Sequence, residues 1–424
     1  MKEVHFLYGK TAQTYAFSEA ELAGVLTSGI GDYKPVGSPE ELVARAMEAP
    51  EGGCRLDTLA KGKRNIVIIA SDHTRPVPSK VIIPTMLKQI RSASPDAKVT
   101  ILIATGCHRG TTLQELEDKF GKEIVEREHI YVHDCDDREK LRSIGTLPSG
   151  GDCEINTIAL DADLLVAEGF IEPHFFAGFS GGRKSVLPGI AGRATVLSNH
   201  CSEFIDHPNA RTGVLEGNPI HEDMLWAAKS AKLAYIVNVV LDEHKQVIYA
   251  VAGEPEKAHA KGVDFLSSLC AADAVAADVA ISTNGGYPLD QNVYQAVKGM
   301  TAAEATVRQG GVIIMLAQSG DGIGGANFFS LLAEEPDIHK TMSLFRGRKR
   351  QETVPDQWQT QIFLRVRMHA SVIYISDVAD EVIRSMHMIP AHTIGEALGI
   401  AKKILGKENV RIAAIPDGVS VIVR

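Results

Sequence analysis

Short runs of branched apolar residues alternate with helix-start signals along this chain, and no other feature constrains the fold as strongly. Runs of this kind suit strands that are buried on both faces of a parallel sheet. The alternation therefore predicts an α/β fold with doubly wound, mainly parallel sheets. The runs occupy residues 66–70, 99–104, 164–167, 278–281, 312–316 and 372–375.

Helix boundaries are marked by capping boxes, in which a Ser or Thr is followed three residues later by Glu. The hydroxyl accepts a hydrogen bond from the third helical N–H, and the Glu side chain accepts one from the N–H of the cap. The boxes begin at Ser38, Thr112, Thr301 and Thr393, and the expected helix ends are Gly121, Gly310 and Gly406. Two further runs, 235–241 and 247–251, predict an antiparallel hairpin.

The chain has 424 residues, which is long for a single hydrophobic core, so two α/β domains are expected. A stretch at 253–277 that becomes rich in alanine marks the crossing between them. We predict an N-terminal domain over residues 1–270 and a C-terminal domain over 275–408. The tail, 409–424, is expected to form a hairpin and to return to the N-terminal domain.

Charge and cysteine usage exclude several classes of protein. A formal net charge of -9 argues against nucleic acid or an anionic membrane surface as the main partner. The six cysteines are scattered without a Cys-x-x-Cys pair, as in proteins with reduced thiols. The start of the chain has no signal-peptide pattern, and no run approaches the roughly 18 apolar residues of a membrane helix. A cytoplasmic protein is therefore expected.

Several polar loops directly follow the predicted strands. In this fold class ligands gather at the carboxyl ends of the strands. Because the loops come from both predicted domains, we expect an active site in the cleft between the domains. The loops are 71–78, 105–110, 172–192 and 282–290.

The segment 172–192 has the highest density of chemically useful residues. Its core, Gly178 to Ser185, lacks one feature of a P-loop, because Arg183 stands where that motif needs glycine. Backbone amides around Gly181 and Gly182 can still converge on an anion, and Lys184 can touch a phosphate or attack a cofactor. The segment predicts a site for a phosphorylated ligand, and a glycine-rich packing turn is the simpler alternative.

Three histidines accompany this segment. His108 and His174 each follow a predicted strand, and His200 comes shortly afterwards. A single histidine is more often structural, but together with Lys184 and Arg75 in comparable loops the three favour a shared polar cleft. Neutral imidazole acts as a base near neutral pH and also binds nickel, copper, iron or zinc.

A predicted helix after residue 290 carries a second polar group. Tyr294, Gln295 and Lys298 share one face of that helix. Lys298 together with Arg75 would clamp a small carboxylate, because arginine offers two parallel N–H donors. A solvated helix surface is the alternative explanation.

Taken together, these segments resemble the nickel-pincer-nucleotide lactate racemase family, and the resemblance spans essentially the whole chain. It implies two α/β domains with the site between them. It also implies interconversion of D- and L-lactate or a related short 2-hydroxy acid. The matching segments are 72–78, 106–109, 172–192, His200, 284–298 and 355–358.

The resemblance implies an unusual cofactor: nickel held by pyridinium-3,5-bisthiocarboxylic acid mononucleotide, the nickel-pincer nucleotide, covalently attached at Lys184. Other enzymes would build this cofactor and would be partners of the chain. His200 would be the protein ligand of nickel, and His108 and His174 would be the acid/base pair. Further cofactor contacts would come from Asp72, Arg75, Phe176, Gly181, Gly182 and Trp358, and substrate contacts from Arg75, Tyr294, Gln295 and Lys298.

The implied chemistry explains why two histidines are needed. The α-proton of a 2-hydroxy acid is too weakly acidic for an unaided histidine, but hydride transfer to the cofactor leaves only a hydroxyl proton to move. The resulting 2-keto acid can take hydride back on its other face. From the residues alone, two alternatives stay open: a nucleotide-dependent phosphotransferase that uses the Gly178 to Ser185 loop, and a non-catalytic nickel or cofactor carrier.

Overall fold

The computed structural model describes residues 1–424, except for the side chain of residue 326, and divides the chain into two compact units. The N-terminal unit comprises Ile30–His200 and Asn209–Ser268. The C-terminal unit comprises Met1–Gly29, Cys201–Pro208 and Leu269–Arg424. Each unit has its own sheet and its own hydrophobic core.

Strands occur throughout both units. In chain order they are β1 (Lys2–Tyr8), β2 (Thr11–Phe17), β3 (Leu22–Val25), β4 (Asn65–Ser71), β5 (Lys98–Ala104), β6 (His129–Val132), β7 (Leu141–Thr146), β8 (Asp152–Asn156), β9 (Leu164–Phe170), β10 (Pro173–His174), β11 (Gly178–Phe179), β12 (Leu233–Leu241), β13 (Val247–Gly253), β14 (Ala271–Ala272), β15 (Ala277–Thr283), β16 (Val307–Leu316), β17 (Ser371–Ile375), β18 (Ile389–Ala391), β19 (Ile412–Ile415) and β20 (Ile422–Val423).

Helices connect most of these strands. In chain order they are α1 (Pro39–Glu48), α2 (Leu56–Ala60), α3 (Ser79–Ala93), α4 (Leu113–Phe120), α5 (Lys122–Arg127), α6 (Thr157–Leu160), α7 (Arg193–Asn199), α8 (Ser202–Asp206), α9 (Pro219–Ser230), α10 (Pro255–Cys270), α11 (Val293–Glu304), α12 (Ala326–Ala333), α13 (Ile338–Gly347), α14 (Gln357–His369), α15 (Asp380–Ser385) and α16 (Ile394–Leu405). Short 3₁₀ turns lie at Arg138–Lys140, Gly182–Ser185 and Arg350–Glu352.

The sheet of the N-terminal unit has the strand order β13-β12-β9-β4-β5-β6. All neighbours are parallel except β12 and β13, which form the expected antiparallel hairpin. The five residues 66–70 in the middle of β4 are buried, as expected for a central strand. From β4 and β9 the chain winds outward in opposite directions, so the predicted doubly wound α/β fold is confirmed for this unit.

The sheet of the C-terminal unit has the order β18-β17-β16-β15-β19-β3, and every neighbouring pair is parallel. All seven residues of β15 are buried. The hairpin of β1 and β2 contributes Phe6 and Phe17 to the same core, where both side chains are 0% exposed. This unit therefore also has the predicted α/β architecture.

The prediction for the tail is wrong. β19 is inserted between β15 and β3 in the C-terminal sheet, and β20 pairs in parallel with β14, so the two strands form no hairpin with each other. The four residues of β19 are all buried, which suits the middle of a sheet and not an exposed hairpin. Residues 1–29 also belong to the C-terminal unit, so residues 1–270 are not one continuous domain.

Two of the predicted capping boxes form completely, at Ser38 and Thr112. At Thr393 the hydroxyl accepts from the Glu396 N–H at 3.1 Å, but the Glu396 carboxylate accepts from the His392 N–H at 2.8 Å. The carboxylate thus caps one residue earlier than expected. Gly121 and Gly406 follow the ends of α4 and α16, as predicted.

The box at Thr301 is a wrong prediction, because this residue lies inside α11. The helix begins eight residues earlier, where the Asn292 side chain accepts from the Gln295 N–H at 2.9 Å. Gly310 does not end a helix either. It lies within β16 with a φ of 73°, a conformation that favours glycine.

Two findings concern the cysteines and the helices. Each of the six cysteines is a free thiol. Across the described residues, no helix combines the length and the apolar character that a membrane span requires.

Candidate active site

The loops after β4 and β9 leave the N-terminal sheet at the point where the chain reverses its direction of winding. Connections at such a point diverge and leave a crevice beyond the carboxyl ends of the strands. The loop after β5 lies beside them, where the Gly106 N–H donates to the Gly189 carbonyl at 2.9 Å. Most of the predicted site residues of this unit lie in these three loops: Asp72, Arg75, His108, His174, Phe176, Gly181, Gly182 and Lys184.

A carboxylate orients the first predicted acid/base histidine. The Nδ1 atom of His108 lies 2.9 Å from Oδ2 of Asp72. Since a carboxylate accepts hydrogen bonds, Nδ1 carries the proton, and Nε2 of the neutral ring is left as a base. Asp72 is buried, whereas the side chain of His108 is 45% exposed, so its reactive nitrogen is accessible.

The loop after β4 holds Asp72 in its ionised form. Its other oxygen accepts from the Thr74 hydroxyl at 2.7 Å, and that hydroxyl accepts from Nη1 of Arg75 at 2.9 Å. Burial acts to raise the pKa of Asp72, but the hydrogen bonds from His108 and Thr74 hold it below its ordinary value. The loop therefore presents a fixed negative charge behind His108 and an exposed guanidinium next to it.

His174 is oriented by the backbone instead of by a carboxylate. It sits in the small β10–β11 hairpin, where the Ala177 N–H donates to its Nδ1 at 3.2 Å. Phe175 stacks on the ring and Phe176 meets it edge-on. Because Nδ1 accepts, the neutral ring carries its proton on Nε2, which lies 3.4 Å from Nζ of Lys184. An ammonium at Nζ would only donate, so this tautomer requires that Lys184 is not an ammonium, as in a covalent cofactor link.

When Lys184 is not an ammonium, the two histidines are held in complementary tautomers. In its neutral form His108 offers a lone pair at Nε2, and His174 offers an N–H at the same atom. The first ring can accept a proton, and the second can donate a hydrogen bond; the second can give up a proton only from its imidazolium form. For His174 to act as a base, its proton must move to Nδ1, which breaks the bond from Ala177.

Lys184 projects from a turn that strongly favours glycine. Gly181 and Gly182 have φ values of 79° and 54°, in the region that side chains with a Cβ rarely adopt. A Cβ on Gly181 would lie 2.8 Å from Oδ1 of Asn238 and 2.9 Å from the carbonyl oxygen of Phe170. The turn thereby fixes where Lys184 leaves the backbone.

The amides of this turn are engaged within the protein. The Gly182 N–H donates to Oδ1 of Asn238 at 2.8 Å, and the Lys184 N–H donates to the Gly181 carbonyl at 3.1 Å. The expected convergence of these amides on a phosphate is therefore not observed. Gly181 and Gly182 shape the turn, and a P-loop mechanism loses its structural basis.

We expect Gly181→Ala to destabilise the protein more than a glycine substitution at a comparable φ without crowding. The matched control is Gly62→Ala, where φ is 75° but no atom lies within 4 Å of the added Cβ. The control should cost about 1 kcal/mol for the backbone alone, and Gly181→Ala about 2–4 kcal/mol because of the added clash. Urea unfolding of both variants measures the difference, and equal losses would show that the turn relaxes freely.

His200 has the properties of a buried neutral ligand. It ends α7, where its N–H donates to the Val196 carbonyl at 3.0 Å, and its ring meets Phe176 edge-on with centroids 5.1 Å apart. Burial, aided by the nearby charge of Lys184, lowers the pKa of His200 to about 3. The imidazole is therefore neutral at physiological pH, which is the form that binds metals.

These side chains fit the cofactor that the resemblance implies. Lys184 supplies an amine for a covalent link, and His200 supplies a neutral imidazole close to that amine. In the described part of the chain, the only cluster of three His, Cys, Asp or Glu ligand atoms is Asp134, Cys135 and Asp136, which lies outside these loops. A pincer nucleotide would bring its own ligands to a metal at His200.

The remaining predicted residues lie in the C-terminal unit. Tyr294, Gln295 and Lys298 are half-buried on the first turns of α11. The Tyr294 ring packs edge-on against Phe328, with centroids 5.4 Å apart. Trp358 is half-buried on the first turn of α14, which packs against α11. The structure thus gathers these four residues at two neighbouring helix starts.

Two residues that support the site were not anticipated. Glu168 is fully buried at the end of β9 and accepts from the Ser79 hydroxyl at 2.7 Å and from Ser71, so it ties together both ends of the Asp72 loop. Asn238 holds the glycine turn from β12. Each is a polar residue within or directly after an apolar strand, and that interruption is the signal that could have identified them.

Comparisons with known proteins identify the family of the chain. Sequence models of the lactate racemase N-terminal and C-terminal domains match residues 8–213 and 272–423. A lactate racemase of Thermoanaerobacterium thermosaccharolyticum is 53% identical, and one of Lactiplantibacillus plantarum is 50% identical; each comparison covers 100% of both chains.

Solved structures give the same result. The lactate racemase apoprotein of T. thermosaccharolyticum matches with a TM-score of 0.97 and 52% identity over 100% of both chains. A Thermotoga maritima protein matches with a TM-score of 0.66 over 92% of this chain and 99% of that one, and at 19% identity it shows a likeness of fold alone. On the evidence of both domains and of full-length identity, the chain belongs to the lactate racemase family of isomerases.

Proposed function

We propose that this protein interconverts D- and L-lactate, using His108 and His174 as its acid/base pair. The observation that carries the proposal is that both rings are held in fixed orientations at the strand ends, His108 by Asp72 and His174 by the Ala177 N–H. Inversion at a carbinol carbon requires a proton to move on and off one oxygen in two different geometries, so it needs two such groups. The names of the two relatives, both lactate racemases, support lactate as the substrate.

The cofactor that fits is the nickel-pincer nucleotide, with Lys184 as its covalent anchor and His200 as its nickel ligand. When bound, it supplies an acceptor for the hydride that leaves the Cα of the substrate. Phe176, which contacts the rings of both His174 and His200, would form part of the wall of its pocket. Enzymes that build the cofactor are the partners that this proposal requires, and we place the reaction in the cytoplasm.

The protein residues handle the proton and the carboxylate. Nε2 of His108 takes the hydroxyl proton as the C–O bond becomes a carbonyl, and Asp72 stabilises the imidazolium that forms. The exposed guanidinium of Arg75 binds the substrate carboxylate, with Tyr294, Gln295 and Lys298 as further contacts. The product of this half-reaction is a planar 2-keto acid, pyruvate when the substrate is lactate.

The second half-reaction restores the hydrogen on the opposite face. The keto acid reorients, and its oxygen then lies towards His174, which gives the new hydroxyl its proton from the imidazolium form and becomes neutral. The proton that His108 took up is released to solvent, and His174 regains one from solvent. In the reverse direction the two rings exchange roles. Fixed orientation by Asp72 and by the Ala177 N–H keeps both nitrogens directed at the substrate, which is the contribution of the protein to the rate.

The test uses protein produced together with the cofactor-building enzymes. Enantiopure D-lactate is added, and chiral chromatography follows the formation of L-lactate, beside a panel of other short D-2-hydroxy acids. We expect conversion to an equal mixture, with lactate or a near relative converted fastest. If cofactor-loaded protein converts none of the acids, the racemase proposal is overturned and the carrier alternative is favoured.

A further inference from the structure

Arg183 is a buried guanidinium that the proposed reaction does not use. Its side chain is almost fully buried, and its Nη2 donates to the Ala177 carbonyl at 2.8 Å, while Nη1 contacts the carbonyls of Ser180 and Gly181 at 3.4 and 3.3 Å. Nε donates to Nδ1 of His221 at 2.9 Å. Among the described residues, no carboxylate bonds to this cation.

The surroundings of Arg183 are consistent with an uncompensated positive charge. Burial alone lowers the pKa of Arg183 to about 9. Burial, followed by the charge of Arg183, lowers the pKa of His221 to about 4 and also lowers that of His259, so both rings are neutral. A buried charge is normally paired, because isolating it from water is costly.

A cavity of about 230 Å³ opens beside this group. Its polar side is formed by Arg183, His221 and His259, and its walls are mainly aliphatic. Nδ1 of His221 accepts from Arg183, so the proton of the neutral ring is on Nε2, where it can be donated to a ligand. The aliphatic lining residues are Leu215, Leu225, Ala228, Leu233 and Ala260.

The acidic residues at the rim are already engaged. Glu256 forms an ion pair with Lys229 at 2.7 Å, and the Glu254 carboxylate accepts from the Lys257 N–H at 2.9 Å. Among the described residues, neither carboxylate pairs with Arg183, and burial alone shifts the pKa of Arg183. The cavity combines one unpaired cation with apolar walls, which is the usual construction of a site for a small amphipathic anion.

We propose that this cavity binds a small aliphatic monocarboxylate, whose carboxylate pairs with Arg183 and accepts from Nε2 of His221. A guanidinium has five N–H donors, and the contacts above leave one on Nη2 for such a ligand. One uncompensated cation matches a ligand with one negative charge, and the aliphatic walls match a ligand with a short alkyl chain. A dianionic phosphate would add a second charge beside Glu254 and Glu256.

This site is separate from the proposed reaction, and its test needs no cofactor. Arg183 precedes Lys184 and ties down the carbonyls of the same turn, so a ligand here is expected to stabilise that turn. Butyrate is the probe, with butanol and butylamine as matched compounds that lack the negative charge. Calorimetric titration and thermal unfolding of the full-length protein measure binding.

We expect saturable binding of butyrate and a rise in melting temperature, with no effect of butanol or butylamine. His221→Leu, which keeps the ring's bulk but removes its donor, should weaken binding about tenfold or more. Ala260→Leu, which fills the cavity from an exposed position, should abolish it, while Ala333→Leu in the C-terminal unit should not.

Arg75→Ala separates this cavity from the active site, and binding that persists in this variant supports the proposal. Binding that is lost in Arg75→Ala but kept in Ala260→Leu would place the carboxylate in the active site and overturn it. The proposal is also overturned if butyrate up to about 50 mM gives no saturable signal, since such weak binding has no specific site.

Discussion

Replacing Lys184 with alanine is expected to leave a folded protein that acquires no covalent cofactor and has no racemase activity. The turn that carries Lys184 is shaped by Gly181, Gly182 and Asn238, and the Lys184 side chain is only half-buried. Its removal should therefore spare the fold. Intact-protein mass after production with the cofactor-building enzymes measures the adduct, and circular dichroism measures the fold.

Two further variants serve as controls. One tests whether a positive charge without an amine is sufficient for loading, and the other tests whether loss of any lysine prevents it. Lys184→Arg keeps a cation near His174 but lacks the amine that would form the thioamide, so it should also carry no adduct. Lys122→Ala, at an exposed position on α5, should load normally. An adduct of unchanged mass in Lys184→Ala, with wild-type protein loaded in parallel, would remove Lys184 from its proposed role.

The sequence was most informative where one physical requirement dominates a segment. The strand at 66–70 must be buried on both faces, so its apolar run alone predicted a central strand. The complete capping boxes at Ser38 and Thr112 were equally local, because each requires only a hydroxyl and a carboxylate three residues apart. In both cases the determinants lie within a few residues of one another.

Prediction failed where a distant segment decides the outcome. The apolar run of β19 fits either sheet, and only its pairing with β15 and β3 assigns it to the C-terminal unit. Thr301 has the pattern of a cap, but Asn292 starts the helix earlier and places Thr301 in its interior. Such choices depend on packing partners that are far apart in the chain.

The site shows the same division between local and distant information. The positions of His108, His174 and Lys184 in loops at the strand ends followed from the order of runs and loops. The tautomers did not, because they depend on Asp72, 36 residues from His108, and on the turn that brings the Ala177 N–H to His174. The protonation state of each histidine therefore depends on how the loops pack together.

His108→Ala and His174→Ala are each expected to lower the rate of racemisation by about 10²–10⁴-fold, the usual contribution of one acid/base group. Each variant should also keep one half-reaction that the other loses. Oxidation of a bound enantiomer to the keto acid needs only the base that faces its hydroxyl, so one variant should still oxidise D-lactate and the other L-lactate. His244→Ala, at an exposed position on the β12–β13 hairpin, is the control.

Single-turnover experiments with each enantiomer, quenched in acid and assayed for pyruvate, separate the half-reactions from racemisation. Because Asp72 stabilises the imidazolium of His108, whereas His174 must give up its bond from Ala177 to act as a base, the enantiomer that uses His108 should be oxidised faster by the wild-type protein. If both variants oxidise the same enantiomer, the two rings do not serve opposite faces of the substrate. Near-normal racemisation by either variant would exclude that histidine from the reaction, whatever its tautomer.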